Sequence, residues 1–141
     1  MDIQRYQHDH RQIIADIHAL RTLAQAGVVG NTAQISKQIT DMASHIKMHL
    51  AVEDRVLYPT LARLDDPVIG ALAARFQTEM ASLAEAFGEF VRQWRVPERI
   101  DADPEGFRRG ANSVLKALYE RLQKEDTEFF PAVAAVAVVA A

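Results

Sequence analysis

The sequence predicts an all-α protein folded as an up-down-up-down antiparallel four-helix bundle. Apolar residues recur at alternating steps of three and four along most of the chain, and no segment alternates apolar and polar residues with period two. Glycine, proline and N-capping residues divide this pattern into four stretches of roughly 20 to 28 residues. The links between the stretches are short, which favours antiparallel neighbours and hence a bundle.

Glycine and capping residues set the boundary between the first two predicted helices. The first helix carries His10 within its apolar stripe and is broken by Gly27 and Gly30. Asn31 or Thr32 can then cap the second helix. The apolar stripe of the first helix consists of Ile3, Tyr6, Ile13, Ile17, Leu20 and Ala24.

The second predicted helix runs towards Pro59 and has ionisable residues on one side. His45, His49 and Glu53 are spaced i, i+4 and i+8, which projects them from nearly one face. An unpaired buried charge is costly, so such residues must be paired or must coordinate an ion. Of the three, His45 is interpreted as a satisfied core histidine rather than a ligand. The apolar positions among which they fall are Ile35, Ile39, Met42, Ile46 and Val56.

The third and fourth helices share a start signal. Asp66 and Asp103 are each followed by proline, so each predicts an N-cap residue before proline at the first helical position. The segment 97–102 is predicted to be a loop. The apolar stripe of the third helix is Ile69, Leu72, Phe76, Met80, Leu83, Phe87, Phe90 and Trp94, and the fourth helix runs through Phe107, Ala111, Val114, Leu118, Glu125 and Phe129.

A repeated motif links the second and fourth helices. The segment 53–59, EDRVLYP, returns at 125–131 as EDTEFFP. Glu53 and Glu125 are therefore predicted to lie at the same depth, in helices that end the same way. Reflecting the chain across each connecting turn predicts a single polar layer through the bundle. Its predicted members are His10, His49, Glu53, Arg121 and Glu125, with one or more of Gln77, Glu79 and Met80 from the third helix.

The residue types in this layer indicate a metal. Imidazole and carboxylate groups suit iron, manganese or zinc, and the facing helices of bundles commonly hold such ions. The layer also admits a metal-free interpretation, in which Arg121 bridges Glu53 and Glu125 with its guanidinium.

These residues resemble the hemerythrin, or HHE cation-binding, family. The similarity rests on HLAVEDRVLYP in the second helix and EDTEFFP in the fourth, and extends from the Asp9–His10 pair to Pro131. The resemblance implies a four-helix bundle with a carboxylate-bridged di-iron site. It implies His10 as the ligand from the first helix, His49 and Glu53 from the second, and Glu125 from the fourth.

The sequence departs from the family pattern at two expected ligands. The histidine of the fourth helix is replaced by Arg121, and the third-helix segment RFQTEM contains no histidine. The resemblance therefore implies a mononuclear or incomplete di-iron site, with Glu79 as a further candidate ligand, or a site that holds no metal.

Two functions follow as hypotheses. The first is a hemerythrin-like metal-binding protein, with iron as the expected metal, that binds or senses oxygen, nitric oxide or peroxide. The alternative is a metal-free, degenerate hemerythrin-like bundle that acts as a protein-interaction module. Covalent catalysis is not indicated, because the chain has no Cys and no Ser or Thr beside a histidine of the layer. An enzymatic role is left open, with a non-catalytic role favoured.

Composition restricts partners and location. A net charge of -3 without a basic cluster argues against nucleic acid. The absence of Cys fits a reducing compartment. The charged N-terminus is unlike a signal peptide, so a cytoplasmic protein without a membrane span is predicted. Residues 1–131 are predicted to form the bundle and residues 132–141 an apolar tail, which covers one end of the bundle or pairs two copies as a homodimer.

Overall fold

Helices account for nearly all of the regular structure. A computed structural model of the chain describes the backbone of residues 3–140 and the side chains of residues 3–135, and within that part it contains no strand. No helix of residues 3–140 is both long and apolar enough to cross a membrane. The elements are α1 Ile3–Gln25, α2 Thr32–Val52, α3 Tyr58–Ala62, α4 Pro67–Trp94, α5 Pro97–Ala102, α6 Pro104–Lys124 and α7 Phe130–Ala140, with π-helical turns at Glu53–Leu57 (π1) and Glu125–Phe129 (π2).

Four long rods form the bundle. They are α1, then α2 continued through π1 into α3, then α4, and then α6 continued through π2 into α7. α1 packs against α2 and α6, and α4 packs against the same two helices. Each rod therefore has two neighbours, and successive rods run in opposite directions. The predicted up-down-up-down four-helix bundle is confirmed.

Aspartate caps begin the third and fourth rods as predicted. The carboxylate of Asp66 accepts hydrogen bonds from the backbone N–H groups of Val68 (3.0 Å) and Ile69 (3.1 Å). Asp103 accepts from the backbone N–H of Gly106 at 2.9 Å. These side chains satisfy N–H groups that the first turn of a helix leaves without partners.

The predicted loop at 97–102 is wrong, because this segment is the short helix α5. Pro97 stands at its first position, where a missing N–H and a fixed φ favour a helix start. Ile100 is fully buried and anchors the turn to the bundle core.

Two apolar clusters lie on either side of the predicted polar layer. Along α1, His10 stands between Tyr6 of one cluster and Ile13 of the other. Along the second rod, His49 stands between Ile46 and Leu57 in the same way. The layer is thus shielded by packed side chains both above and below it.

The second rod ends close to its copy of the repeated motif, as Pro59 predicted, whereas the fourth rod extends well beyond its own copy. Each continues as α-helix beyond the motif, to Ala62 and to Ala140. The segment predicted as a separate tail therefore starts within a continuous helix, and Val133 is buried in the cluster around Phe130. Pairing of two copies through the tail concerns side chains that lie outside the described residues, so it stays a prediction.

Candidate metal centre

The two π-helical turns position the acidic residues of the repeated motif. The N–H of Tyr58 donates to the carbonyl of Glu53, five residues back, and the N–H of Phe130 donates to that of Glu125. The next residue in each copy is proline, which has no N–H and whose ring crowds the carbonyl four residues earlier in a regular α-helix. The wider turn relieves that crowding. It also places the residue five positions after each glutamate beneath that glutamate. Single π-helical turns are frequent at functional sites.

Five polar or charged side chains are buried among the residues whose side chains are described. They are His10, His49, Glu53, Arg121 and Glu125. These are the five residues that reflection across the turns placed in one layer, so the predicted layer is confirmed for them. Their role as ligands is a separate question.

Three of these residues direct ligand atoms to one point. Atoms of His10, His49 and Glu53 lie within 4.8 Å of one another. His10 Nε2 lies 3.0 Å from His49 Nε2 and 3.3 Å from Glu53 Oε1. His49 Nε2 also contacts Glu53 Oε1 directly. Within the described residues this is the one group of at least three such side chains close enough to share a metal ion.

Glu125 lies at the edge of this group. Its Oε1 atom is 3.9 Å from His10 Nε2. That oxygen is buried and has no hydrogen-bond partner, the one such side-chain atom among the described residues. A buried oxygen without a partner is costly and calls for an explanation, such as an ion or water at that place.

Two aspartates hold the outer nitrogens of the histidines. His10 Nδ1–H donates to Asp126 Oδ1 at 2.9 Å, and His49 Nδ1 lies 3.5 Å from Asp9 Oδ2. An ionised carboxylate only accepts hydrogen bonds, so these contacts favour the proton on Nδ1 and leave Nε2 to face the centre. Sequence reasoning did not assign a role to either aspartate. The available signal was adjacency, since Asp9 precedes His10 and Asp126 follows Glu125.

Tyr58 connects the two carboxylates from below. Its hydroxyl donates to Glu53 Oε2 at 3.1 Å and lies 3.4 Å from Glu125 Oε2. Burial raises the pKa of Tyr58 far above its usual value, and the negative charges of Glu53 and Glu125 raise that pKa further. Tyr58 therefore keeps its proton and acts as a donor. Sequence reasoning missed this residue because π1 turns it under Glu53.

The protonation states of the layer are set by burial and by its members' charges. Burial would raise the pKa of Glu53, but hydrogen bonds and positive charge from His10 and His49 outweigh it and lower that pKa to about 2. Burial would lower the pKa of His49, but Glu53 and Asp9 reverse this and raise it. Burial raises the pKa of Glu125, and the charge of Glu53 raises it further. Without a metal ion, Glu53 is thus ionised, whereas Glu125 keeps its proton to a higher pH than an exposed carboxyl group does.

The metal-free interpretation placed Arg121 between Glu53 and Glu125, and the structure gives it a different partner. Its guanidinium forms an ion pair with Glu79. The Cζ atom of Arg121 lies 4.5 Å from the ring centroid of Phe76, so its head passes over this ring towards the surface. Burial lowers the pKa of Arg121, and the negative charge of Glu125 opposes that shift.

The other predicted participants lie outside the group. Glu79 is 42% exposed and faces Arg121, so its role as a ligand stays a prediction. Gln77 donates to Asp54 Oδ1 at 2.9 Å. The prediction of His45 as a core histidine is wrong, because its side chain is 58% exposed and hydrogen-bonded to Asp16 at 2.8 Å.

The donor set fits one metal ion better than two. Two imidazole nitrogens and one or two carboxylates are ligands that iron, zinc and manganese accept. The buried residues of the third rod at this depth are Phe76 and Met80, and neither offers a nitrogen or oxygen ligand. Its nearest acidic residue, Glu79, already pairs with Arg121.

Comparison with known proteins gives one match. The family described as hemerythrin HHE cation binding domain matches residues 1–133. Neither the curated proteins nor the solved structures provide a match for this chain. The family match covers the first three rods, the fourth rod as far as Val133, and every residue of the layer.

Proposed function

The chain belongs to the hemerythrin HHE cation-binding family, and from this premise we propose that it binds one metal ion, with iron favoured. His10 and His49 would bind through Nε2 and Glu53 through Oε1, with Glu125 as the fourth residue. Membership of this family also supports a more specific role for the bound metal, namely binding or sensing oxygen, nitric oxide or peroxide.

The observation that carries the proposal is the convergence of electron-rich atoms on one buried point. Asp9 and Asp126 orient the two imidazoles so that their Nε2 atoms face each other and Glu53 Oε1. Such atoms repel one another unless protons or a cation lie among them. The Oε1 atom of Glu125 lacks a partner at the same place. An ion-pair network that needed no metal would give this oxygen a partner. A bound cation therefore accounts for the arrangement better than a metal-free network does.

Residues of this chain prepare the site for a metal ion. Metals bind neutral imidazole and ionised carboxylate, so the raised pKa values of His49 and Glu125 would make metal binding weaker as the pH falls. Tyr58 holds Glu53 and Glu125 side by side through its hydroxyl. Bound iron would supply open coordination positions and redox chemistry towards a small ligand. The aromatic rings of Tyr6 and Phe130 would keep bulk water from that face.

Metal content tests the proposal directly. The protein is purified without chelator or affinity tag, and its metals are measured by elemental analysis together with the visible absorption spectrum in air. We expect about one equivalent of metal per chain, because the layer contains one set of converging ligands. Two equivalents would contradict a mononuclear site. No stoichiometric metal, even after anaerobic reconstitution with ferrous iron, would contradict the proposal and favour the metal-free interaction module.

Asp126→Asn is expected to lower the metal affinity by about 10- to 100-fold, the usual effect of losing a carboxylate that orients a histidine ligand. The amide can present its NH2 group to Nδ1 of His10 and so favour the wrong tautomer. Competition against a chromophoric chelator measures the dissociation constant.

The repeated motif offers a matched control for this change. Asp54 occupies the position equivalent to Asp126, but it is exposed and accepts from Gln77 instead of a histidine. Asp54→Asn should leave the affinity unchanged. Equal losses in the two variants would show that charge near the site matters and not the contact with His10.

A further inference from the structure

A half-open groove runs along the bundle between α2 and α4. Its volume is about 570 Å³, within the range of roughly 300–1,000 Å³ typical of small-molecule sites. Small side chains on both helices open it, since Ala43 and Ala51 on α2 face Ala84 and Gly88 on α4. Larger apolar side chains form the remainder of the wall, namely Ile46, Leu50, Met80, Phe87 and Val91.

The two ends of the groove differ in charge. Lys47 and Arg92 line the part of the groove away from Asp54, and neither takes part in an ion pair among the residues whose side chains are described. The Arg92 guanidinium folds back along α4, because its Nη1 atom lies 3.4 Å from the position of a Cβ atom added at Gly88. At the other end, Asp54 is already bonded to Gln77. An anionic group is therefore favoured at the Lys47 end alone.

The inner end of the groove is closed by Tyr58. This residue lines the groove, but its hydroxyl is directed to Glu53 and Glu125. The aromatic ring of Tyr58 therefore forms the wall of the groove at this end. Measured from the contact of Asp54 with Gln77, Lys47 lies seven residues along α2 and Arg92 fifteen residues along α4. At 1.5 Å per residue their backbones are about 10 Å and about 22 Å from that contact.

We propose that this groove binds a single-chain amphipathic carboxylate, such as a medium-chain fatty acid. Its carboxylate would lie between Lys47 and Arg92, and its alkyl chain would run along the alanine-lined floor towards Tyr58. Charge complementarity fixes this orientation, because the opposite one would bring the carboxylate to Asp54. The site does not depend on the metal proposal, since no metal-ligand residue lines it.

Calorimetric titration of the full chain with octanoate tests this proposal. We expect saturable binding of one octanoate per chain. Ala84→Trp places a large ring in the groove and should weaken binding by about tenfold or more, equivalent to the loss of about 1.4 kcal/mol. Ala86 is an exposed alanine of the same helix that does not line the groove, so Ala86→Trp is the matched control and should bind as the unmodified chain does.

The charge assignment is tested with a neutral probe. Lys47→Ala combined with Arg92→Ala should weaken octanoate binding by about tenfold, the effect of losing charge-assisted hydrogen bonds. Binding of octanol should be unchanged in that double variant. Helical circular dichroism confirms that each variant folds. Absence of saturable octanoate binding, or equal binding by the Ala84→Trp variant, would overturn the proposal. Ala84→Trp altering only the oligomeric state would also overturn it, since the groove would then hold a second copy.

Discussion

Replacing His49 by alanine is expected to lower the metal affinity by more than about 100-fold, because losing a ligand should exceed the 10- to 100-fold cost of losing its orienting partner. His49 contributes one of the three converging atoms and contacts Glu53 directly. Its removal leaves His10 as the one imidazole in the group. Competition with a chelator of known affinity measures the change, and elemental analysis of the purified variant gives its stoichiometry.

His45→Ala is the matched control for this change. His45 lies one helical turn earlier on α2, and its exposed side chain bonds to Asp16 outside the group. This variant should keep the metal affinity of the unmodified chain. Thermal unfolding with a chelator present compares the metal-free folds of both variants. Full metal content in the His49→Ala variant, with its fold intact, would remove His49 from the site.

The contrast between His45 and His49 shows what helical spacing can and cannot predict. The sequence placed His45, His49 and Glu53 on nearly one face. Each step of four residues in a helix of 3.6 residues per turn advances the side chain by about 40°. Across the two steps from His45 to Glu53 this drift amounts to about 80°, twice that of one step. His49 and Glu53 therefore share the core, whereas His45 turns out towards Asp16.

The depth of the polar layer was predictable from the chain alone. In an antiparallel bundle, residues equally far from a connecting turn lie at the same level, and the repeated motif supplied a second, independent reference. These relations located His10, Glu53, Arg121 and Glu125 together, and all four are buried. Neither the reflection across the turns nor the repeated motif depends on how each helix is rotated about its axis. For this reason the depth of these residues in the bundle was predicted correctly.

Side-chain direction and local helix geometry were not predictable in this way. Arg121 reaches Glu79 instead of Glu53 because its long side chain follows the ring of Phe76, a contact between separate rods. The π turns arise where proline follows a residue that must stay packed, and helix propensity gives no signal for them. The hydroxyl of Tyr58 reaches Glu53 through such a turn.

Phe129→Ala is expected to reduce both the stability and the metal affinity of the protein. Phe129 is fully buried in π2 and stacks on Phe76 at a centroid distance of 4.7 Å. Removing a buried Phe side chain costs about 3–5 kcal/mol, a large part of the 5–15 kcal/mol that stabilises a typical domain. The ring also contacts Tyr58, so its loss should loosen the two carboxylates that Tyr58 holds and lower the affinity about tenfold. Urea unfolding and chelator competition measure the two effects.

Phe107→Ala separates the two effects, because Phe107 is equally buried but belongs to the other apolar cluster. Its ring packs against Phe90 and Trp94, away from the metal ligands. It should lower the free energy of unfolding by a similar amount, about 3–5 kcal/mol. The metal affinity should be unchanged under conditions where circular dichroism shows the variant to be folded. Equal losses of affinity in both variants would mean that the site responds to global stability. A loss confined to Phe129→Ala would show that packing around π2 positions Glu125 and Tyr58 for the metal.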